Sequence, residues 1–218
     1  MYIAVSGNIG SGKTTLTSRL AKHYGWTPEY ESVDHNPYLA DFYADMKRWS
    51  FHLQVYFLNS RFKQINAIAA RNHPTIQDRT IYEDAHIFAA NLYKSELLSD
   101  RDYHNYLNLF ESMIAYAKAP DLLIYLRADI PKLVSQIQKR GRDYEDAIRL
   151  DYLKNLNKHY EDWIGSYQLG PLLIIDVNNM DFVSNVEDFA SIVEKIDVEL
   201  NGLFSPGLNP GGQQQKLL

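Results

Sequence analysis

The stretch Gly7-Asn8-Ile9-Gly10-Ser11-Gly12-Lys13-Thr14 decides how this chain is read. It fits G-x-x-x-x-G-K-[ST], the pattern of a glycine loop that wraps phosphate groups. Its surroundings fit as well. Met1 to Ser6 is a short, mostly apolar run suited to a buried strand, and Thr15 to Tyr24 carries Leu16, Leu20 and Ala21 at helical spacing. Glycines between a strand and a helix let the backbone turn tightly and aim its N–H groups at one point, and the helix start adds the positive end of its dipole. In such a loop Lys13 faces the β- and γ-phosphates of a nucleoside triphosphate, and the Thr14 hydroxyl binds Mg²⁺. A glycine-rich turn ahead of a helix is the bland alternative. It leaves the match at all four fixed positions, in this context, unexplained.

Outward from the loop, short strands alternate with helical patterns. Gly25 reads as a helix stop and Trp26 to Glu31 as a second strand region. Pro37 to Met46 reads as a short helix, and Lys47 to Arg71 as a long one. The long helix is apolar over a wide arc, with Trp49, Leu53 and Phe57 on one face and Phe51, Val55 and Leu58 on the next. It is expected to pack on two sides, against the sheet and against a second copy of the chain. His73 to Gln77, Leu122 to Leu126 and Leu172 to Ile175 read as strands. Helices are predicted over Ile81–Leu98, Tyr103–Lys118, Ile130–Gln138, Asp143–Ile164 and Val186–Leu200. The alternation predicts an α/β fold, a five-stranded parallel sheet flanked by helices, doubly wound, with ligands at the C-terminal strand ends. One domain is expected over 1–203. Residues 204–218, rich in Pro, Gly and Gln, read as a flexible tail.

Composition narrows the partners. The chain has 218 residues, a net charge of −5 and no cysteine. There is no basic stripe for nucleic acid, no thiolate metal site, and no apolar run approaching the roughly 18 residues of a membrane span. The first strand begins at Met1 or Tyr2, so no leader peptide is expected, and a cytoplasmic location suits the absence of cysteine. The seven histidines are scattered and support neither a metal site nor a nucleophilic triad.

The acids and arginines must name the reaction. Glu31 follows the second strand region and Asp78 the third, so both meet the glycine loop at one sheet edge. Glu31 is a candidate base for a substrate hydroxyl; the alternative is a surface acid at a loop start. Asp78 is a candidate Mg²⁺ ligand; the alternative is a helix N-cap. Arg79 can neutralise phosphate charge or orient Glu31, or be a salt-bridged surface residue. Arg140-Gly141-Arg142 suits a lid that closes over a phosphate donor; the alternative is a solvated basic helix end. Gln54 and Arg61 are seven residues apart on one helix and share a face, as do Asp84 and Phe88 on the next. Such groups can read and stack a nucleobase. Singly, each favours a blander reading: exposure for Gln54, Arg61 and Asp84, core packing for Phe88.

Together these motifs resemble the deoxynucleoside kinases, and the resemblance runs from about Met1 to Leu200. It rests on the glycine loop and on Glu31 with Asn36-Pro37-Tyr38-Leu39. It includes Trp49 to Gln54, Asp78-Arg79-Thr80-Ile81-Tyr82-Glu83-Asp84 and Arg140-Gly141-Arg142. Asp176-Val177-Asn178 and Asp181-Phe182 are similar to the loop that holds the donor's adenine. The bacterial deoxyadenosine and deoxyguanosine kinases are the nearest branch.

The resemblance implies a P-loop kinase fold with an arginine-bearing helical lid at about 136–146, and ATP and Mg²⁺ as donor and metal. It implies a homodimer in the cytoplasm, acting on a small deoxynucleoside and on neither nucleic acid nor membrane. Glu31 takes the 5′-hydroxyl proton, and Arg79 positions that hydroxyl or the phosphates. Lys13 and Arg140 serve the transferring phosphates, and Thr14 and Asp78 the metal. Gly7, Asn8, Ile9, Gly10, Ser11, Gly12, Arg142, Asp181 and Phe182 complete the ATP site. Tyr43 and Glu145 hold the 3′-hydroxyl; Leu39, Gln54, Arg61, Asp84 and Phe88 surround the base.

Asp78 replaces the family's glutamate, Gln136 a lid arginine of some members, and Leu53 a frequent aromatic. Deoxyadenosine is the favoured acceptor, then deoxyguanosine or deoxycytidine. Two other readings stay open: a nucleoside monophosphate kinase of the thymidylate type, and a non-catalytic nucleotide-sensing switch.

Overall fold

The structure, a computed structural model, describes residues 1–31, 36–142, 145 and 148–201. Five parallel strands form one sheet in the order β2-β3-β1-β4-β5: β1 Tyr2–Gly7, β2 Thr27–Glu29, β3 Thr75–Asp78, β4 Leu122–Arg127 and β5 Leu172–Asp176. The centre is dry. All six residues of β1 are buried, as a parallel strand covered on both faces requires.

Alternation within the strands splits the core. Ile3, Val5, Leu122, Ile124 and Leu126 face the layer of α1 (Lys13–Tyr24), α7 (Ile130–Arg140) and α9 (Val186–Asn201). Tyr2, Ala4, Leu123 and Tyr125 face the layer of α2 (Leu39–Ala44), α3 (Met46–Ala69) and α8 (Leu150–Gly165). Removing a large aliphatic side chain from either layer, as in Ile3→Ala, costs about 2–5 kcal/mol.

The expected elements are present, with shifted ends. α1 stops where Gly25 takes φ 70 and its N–H bonds Ala21 O. α3 spans two clusters. Leu53 joins the sheet-side core, while Leu58 and Ile65 pack with Ile81, Tyr82, Tyr106 and Phe110 of α4 (Ile81–Glu83) and α6 (Asp100–Ile114). Phe51 and Val55 of its second apolar face pack against the same cluster and stay half-buried.

The helix expected over Ile81–Leu98 stops at Lys94, the end of α5 (Ala90–Lys94), and is widened into a π-helical turn over Asp84–Ala89. α6 starts earlier than predicted because Ser99 caps it, accepting from Asp102 N at 3.1 Å. Of the helix expected from Asp143, the described part is α8 from Leu150. Before it, Arg149 is extended, and Glu145 N and Ile148 N donate to Arg142 O and Glu145 O. The tail expected at 204–218 lies outside the described residues, as do three positions of the expected lid, 143, 144 and 146.

Candidate active site

β1, β2 and β3 end at the same edge, and a cavity of about 570 Å³ opens there. Its floor is the glycine loop. Gly10 (φ 86) and Gly12 (φ 94) hold left-handed conformations, and a Cβ would lie 2.7 Å from Leu133 O at the first and 2.8 Å from the Phe182 ring at the second. Only glycine lets this loop lie flat on α7 and on the turn after β5. Asn8 donates through Nδ2 to Leu153 O at 3.2 Å and to Asn157 Oδ1 at 3.0 Å, fastening the loop to α8. Lys13 Nζ donates to Asn8 O at 2.9 Å. Burial, aided by the like charge of Arg79, pushes the Lys13 ammonium down to about 7, against the pull of Asp78 and Glu31. A phosphate beside it reverses that shift.

Thr14 Oγ1 donates to Asp78 Oδ2 at 2.5 Å, while Asp78 Oδ1 is buried without a partner. Burial raises the Asp78 carboxyl. No group of three or more His, Cys, Asp or Glu among the described residues could hold a metal alone. A hydroxyl and a carboxylate with an unpaired oxygen suit Mg²⁺ shared with substrate phosphates.

The next wall carries the acids and arginines. Glu31 Oε1 accepts from Arg61 Nη2 at 2.9 Å and stands 3.0 Å from Arg79 Nε. Burial pushes the Glu31 carboxyl up, but Arg79, Arg61 and Lys13 outweigh it and hold it below the usual glutamate range. Arg61 also contacts Asp84 Oδ2 at 3.3 Å and Asp78 O at 2.9 Å. Arg61 thus stands behind the cavity, orienting two carboxylates, and is not part of its lining.

Arg79 has φ 70, a left-handed backbone unusual outside glycine. Its N–H bonds Val5 O at 2.9 Å, and its guanidinium lies 4.4 Å over the Phe88 ring. Strain of this kind persists only where surrounding contacts over-determine it. Here they aim the side chain into the cavity wall.

Leu39, Phe42, Tyr43, Leu53, Phe57, Phe88 and Tyr152 line an apolar slot, with Gln54 and Asp84 as its polar groups. Gln54 Oε1 is buried without a partner, and burial raises Asp84 to about 6 despite Arg61. A flat ring with a polar edge fits such a slot. At the far rim Arg140 Nε donates to Glu145 Oε2 at 3.0 Å, and Arg142 Nη1 lies 3.7 Å from the same carboxylate. All three line the cavity, and so do Ile9, Gly10, Lys13 and Thr14. Gly7, Asn8, Ser11 and Gly12 shape the loop from outside the lining. Phe182 packs beneath Gly12, and Asp181 caps its own turn by accepting from Val183 N and Ser184 N, both at 3.2 Å.

The family model described as deoxynucleoside kinase matches residues 3–201. This chain belongs to the deoxynucleoside kinase family. It is 41% identical over 196 residues to a deoxyadenosine/deoxycytidine kinase of Bacillus subtilis, covering 89% of this chain and 90% of that one. It is 40% identical over 204 residues to a deoxyguanosine kinase of Lactobacillus acidophilus, covering 89% and 88%. The solved deoxyadenosine kinase of M. mycoides with bound dATP superposes with a TM-score of 0.80 at 31% identity, over 90% of this chain and 98% of that one. The resemblance read from the motifs, and with it the kinase activity and fold, holds.

In this deoxynucleoside kinase the bland single-residue readings fail for Gln54, Arg61 and Asp84, which are all buried. Asp78 is not the helix cap; Thr80 is, in a capping box with Glu83. Sequence reasoning missed two members of the kinase's polar network. Glu83 is fully buried, accepting from Thr80 N at 2.8 Å and from Tyr160 Oη at 2.9 Å, and Tyr160 accepts from Arg79 Nη1 at 2.7 Å. Thr80-x-x-Glu83 matches the capping-box pattern and was a usable signal for Glu83. Nothing local marks Tyr160.

Proposed function

We propose that this kinase moves the γ-phosphoryl group of ATP to the 5′-hydroxyl of a deoxynucleoside, deoxyadenosine first, in nucleotide salvage. The observation that carries the reading is Glu31, two residues beyond β2, held ionised by Arg79 and Arg61 in the wall of a cavity floored by a phosphate loop. Glu31 takes the proton from the attacking hydroxyl, and its depressed pKa keeps it ionised in the ground state. Arg79 steadies that hydroxyl and the transferring group. The loop backbone from Gly7 to Thr14, Lys13, Arg140 and Arg142 bind the donor phosphates, and Asp181 and Phe182 shape the donor-base end. Thr14 and Asp78 would hold Mg²⁺, which would supply positive charge to the transferring phosphates. Most of the rate enhancement comes from alignment and fixed charge.

On the acceptor, Tyr43 and Glu145 hold the 3′-hydroxyl, and Phe88 stacks the base beside Leu39. Ionised Asp84, backed by Arg61, accepts from an exocyclic amino group. Gln54 both donates and accepts, which suits the N6-amino group and ring nitrogen of adenine. Cytosine offers a similar edge. Thymine presents a carbonyl where Asp84 requires a donor.

The further proposals of a cytoplasmic homodimer, and of no nucleic-acid or membrane partner, rest on the family resemblance and the net charge of −5. No helix among the described residues is long and apolar enough to cross a membrane.

The test is turnover with ATP–Mg²⁺ and deoxyadenosine, deoxyguanosine, deoxycytidine or thymidine, with dAMP and dTMP as competing acceptor classes. The highest kcat/KM is expected for deoxyadenosine and the lowest for thymidine. Transfer to the monophosphates alone would overturn Glu31 as base, since its charge repels an acceptor phosphate.

A further inference from the structure

Arg79 is contested by two carboxylates. On the cavity side its Nε stands 3.0 Å from Glu31 Oε1. On the core side its Nη1 lies 3.7 Å from Glu83 Oε1. Glu83 is the drier of the two, fully buried where Glu31 is partly exposed, and attraction between charges is stronger where water is excluded. Yet no direct hydrogen bond joins Arg79 to Glu83, because the Tyr160 hydroxyl stands between them. It accepts from Arg79 Nη1 at 2.7 Å and donates to Glu83 Oε1 at 2.9 Å.

Neither end of this bridge is loose. Glu83 Oε2 accepts from Thr80 N at 2.8 Å and Thr80 Oγ1 at 3.1 Å, and Oε1 accepts from Gly7 N at 3.4 Å. Tyr160 is fully buried and stacks on Tyr125 with centroids 5.8 Å apart. It sits on α8 below Leu153 and Asn157, which hold Asn8 of the phosphate loop. One rigid helix thereby references both the loop and Arg79.

We propose that Tyr160 is a positioning residue for phosphoryl transfer. Its hydroxyl spaces Arg79 from Glu83, so that the guanidinium keeps Nε on Glu31 and stays in the cavity wall. A phenylalanine there lets Arg79 settle onto Glu83 and withdraw from the reacting groups. The inference rests on the reading of Arg79 as a reaction-site residue.

The experiment measures kcat and KM with deoxyadenosine, nucleoside Kd by calorimetry and thermal melting for R79Q, Y160F, E83Q and Y160F/E83Q. R79Q is expected to lose at least about a hundredfold in kcat. Y160F keeps the ring and its stacking, so it is expected to fold. Its kcat falls about tenfold to a hundredfold, as for loss of a hydrogen bond to a charged group, while KM and Kd stay within about threefold. In the E83Q background the same Tyr160→Phe change costs less than about threefold, because a neutral amide no longer draws the guanidinium away.

Full activity in R79Q would sink the reading of Arg79 and this inference with it. A crippled R79Q beside a Y160F of native kcat would sink the inference alone. So would equal losses from Tyr160→Phe with and without Glu83. Should Y160F by itself melt too low to assay, a loss of about tenfold or more from Tyr160→Phe in the E83Q background would still overturn the inference.

Discussion

The wall around Glu31 and the connection proposed as a lid each hold two arginines, and the two pairs are built differently. In the wall, the side chains of Arg61 and Arg79 are 2% and 5% exposed, and each meets carboxylates from separate elements. In the lid, Arg140 and Arg142 are 35% and 34% exposed and share one carboxylate, Glu145, from their own connection. Breaking a buried ion pair strands a charge and is costly, whereas an exposed pair is worth about 0–1 kcal/mol. The wall is therefore held by its own buried ion pairs, and in the proposed reaction its charges need little reorganisation. Arg140 and Arg142 are the more exposed members of their pairs, while Glu145 is 4% exposed and, in the proposed reading, passes from the arginines to the acceptor's 3′-hydroxyl. In the proposed reading, fixed geometry lies where a proton moves, and the more exposed charge where the donor enters and leaves.

The largest effect should come from breaking the wall at its centre. Glu31→Gln is expected to lower kcat by about 10²–10⁴-fold while nucleoside Kd stays within about threefold, measured by steady-state kinetics and calorimetry. Retained kcat would remove Glu31 as base.

The contrast itself is tested by one chemical change made in both regions. Arg79→Lys should reduce kcat by about a hundredfold, because an ammonium cannot span Glu31 and Tyr160 together, whereas Arg142→Lys should cost less than about tenfold. Equal losses would show that the lid is as rigidly specified as the wall.

A third, smaller effect separates the wall's two acids by pH. Asp84 is raised to about 6 and Glu31 is held low. As pH falls from 7 to 5, kcat/KM for deoxyadenosine should drop about tenfold as Asp84 is protonated, with kcat changing far less, and Asp84→Asn should remove the limb. The stability terms have opposite signs. The Glu31 contribution is present at neutral pH and lost as pH falls through its depressed folded pKa. For Asp84, stability declines as pH rises from 3.8 to about 6, because the folded state binds the proton more tightly.

The smallest effect lies outside both regions. Gly25→Ala forces a Cβ onto the left-handed cap of α1, in open space, and should cost about 1 kcal/mol in a denaturation midpoint with kcat unchanged.

Much of this was legible along the chain. The glycine loop, the five strands, Glu31 beyond β2 and Asp78 at the end of β3 follow from local patterns, because strand burial and phosphate loops are properties of contiguous residues. Helix ends were less so. Ser99 extends α6 with a cap at its start, and the extended Arg149 delays α8. Gln54, Arg61 and Asp84 each looked like surface residues singly, since a polar side chain is buried only when a partner reaches it from elsewhere. For Arg61 those partners are Glu31, Asp84 and the Asp78 carbonyl, brought in by β2, the π-helical turn and β3.

By itself, the sequence determined that a triphosphate loop lies between strand and helix, that a parallel sheet carries Glu31 and Asp78 to its edge, and that the motifs belong with the deoxynucleoside kinases. Tertiary structure alone decided which charges meet. Arg79 lies between Glu31 and the Tyr160–Glu83 bridge, Arg61 stands behind the cavity, and Phe182 packs under Gly12. The reason is physical: backbone period and turn chemistry act over a few residues, whereas the burial and pairing of charge depend on groups that only the folded sheet and its crossovers bring within hydrogen-bonding distance.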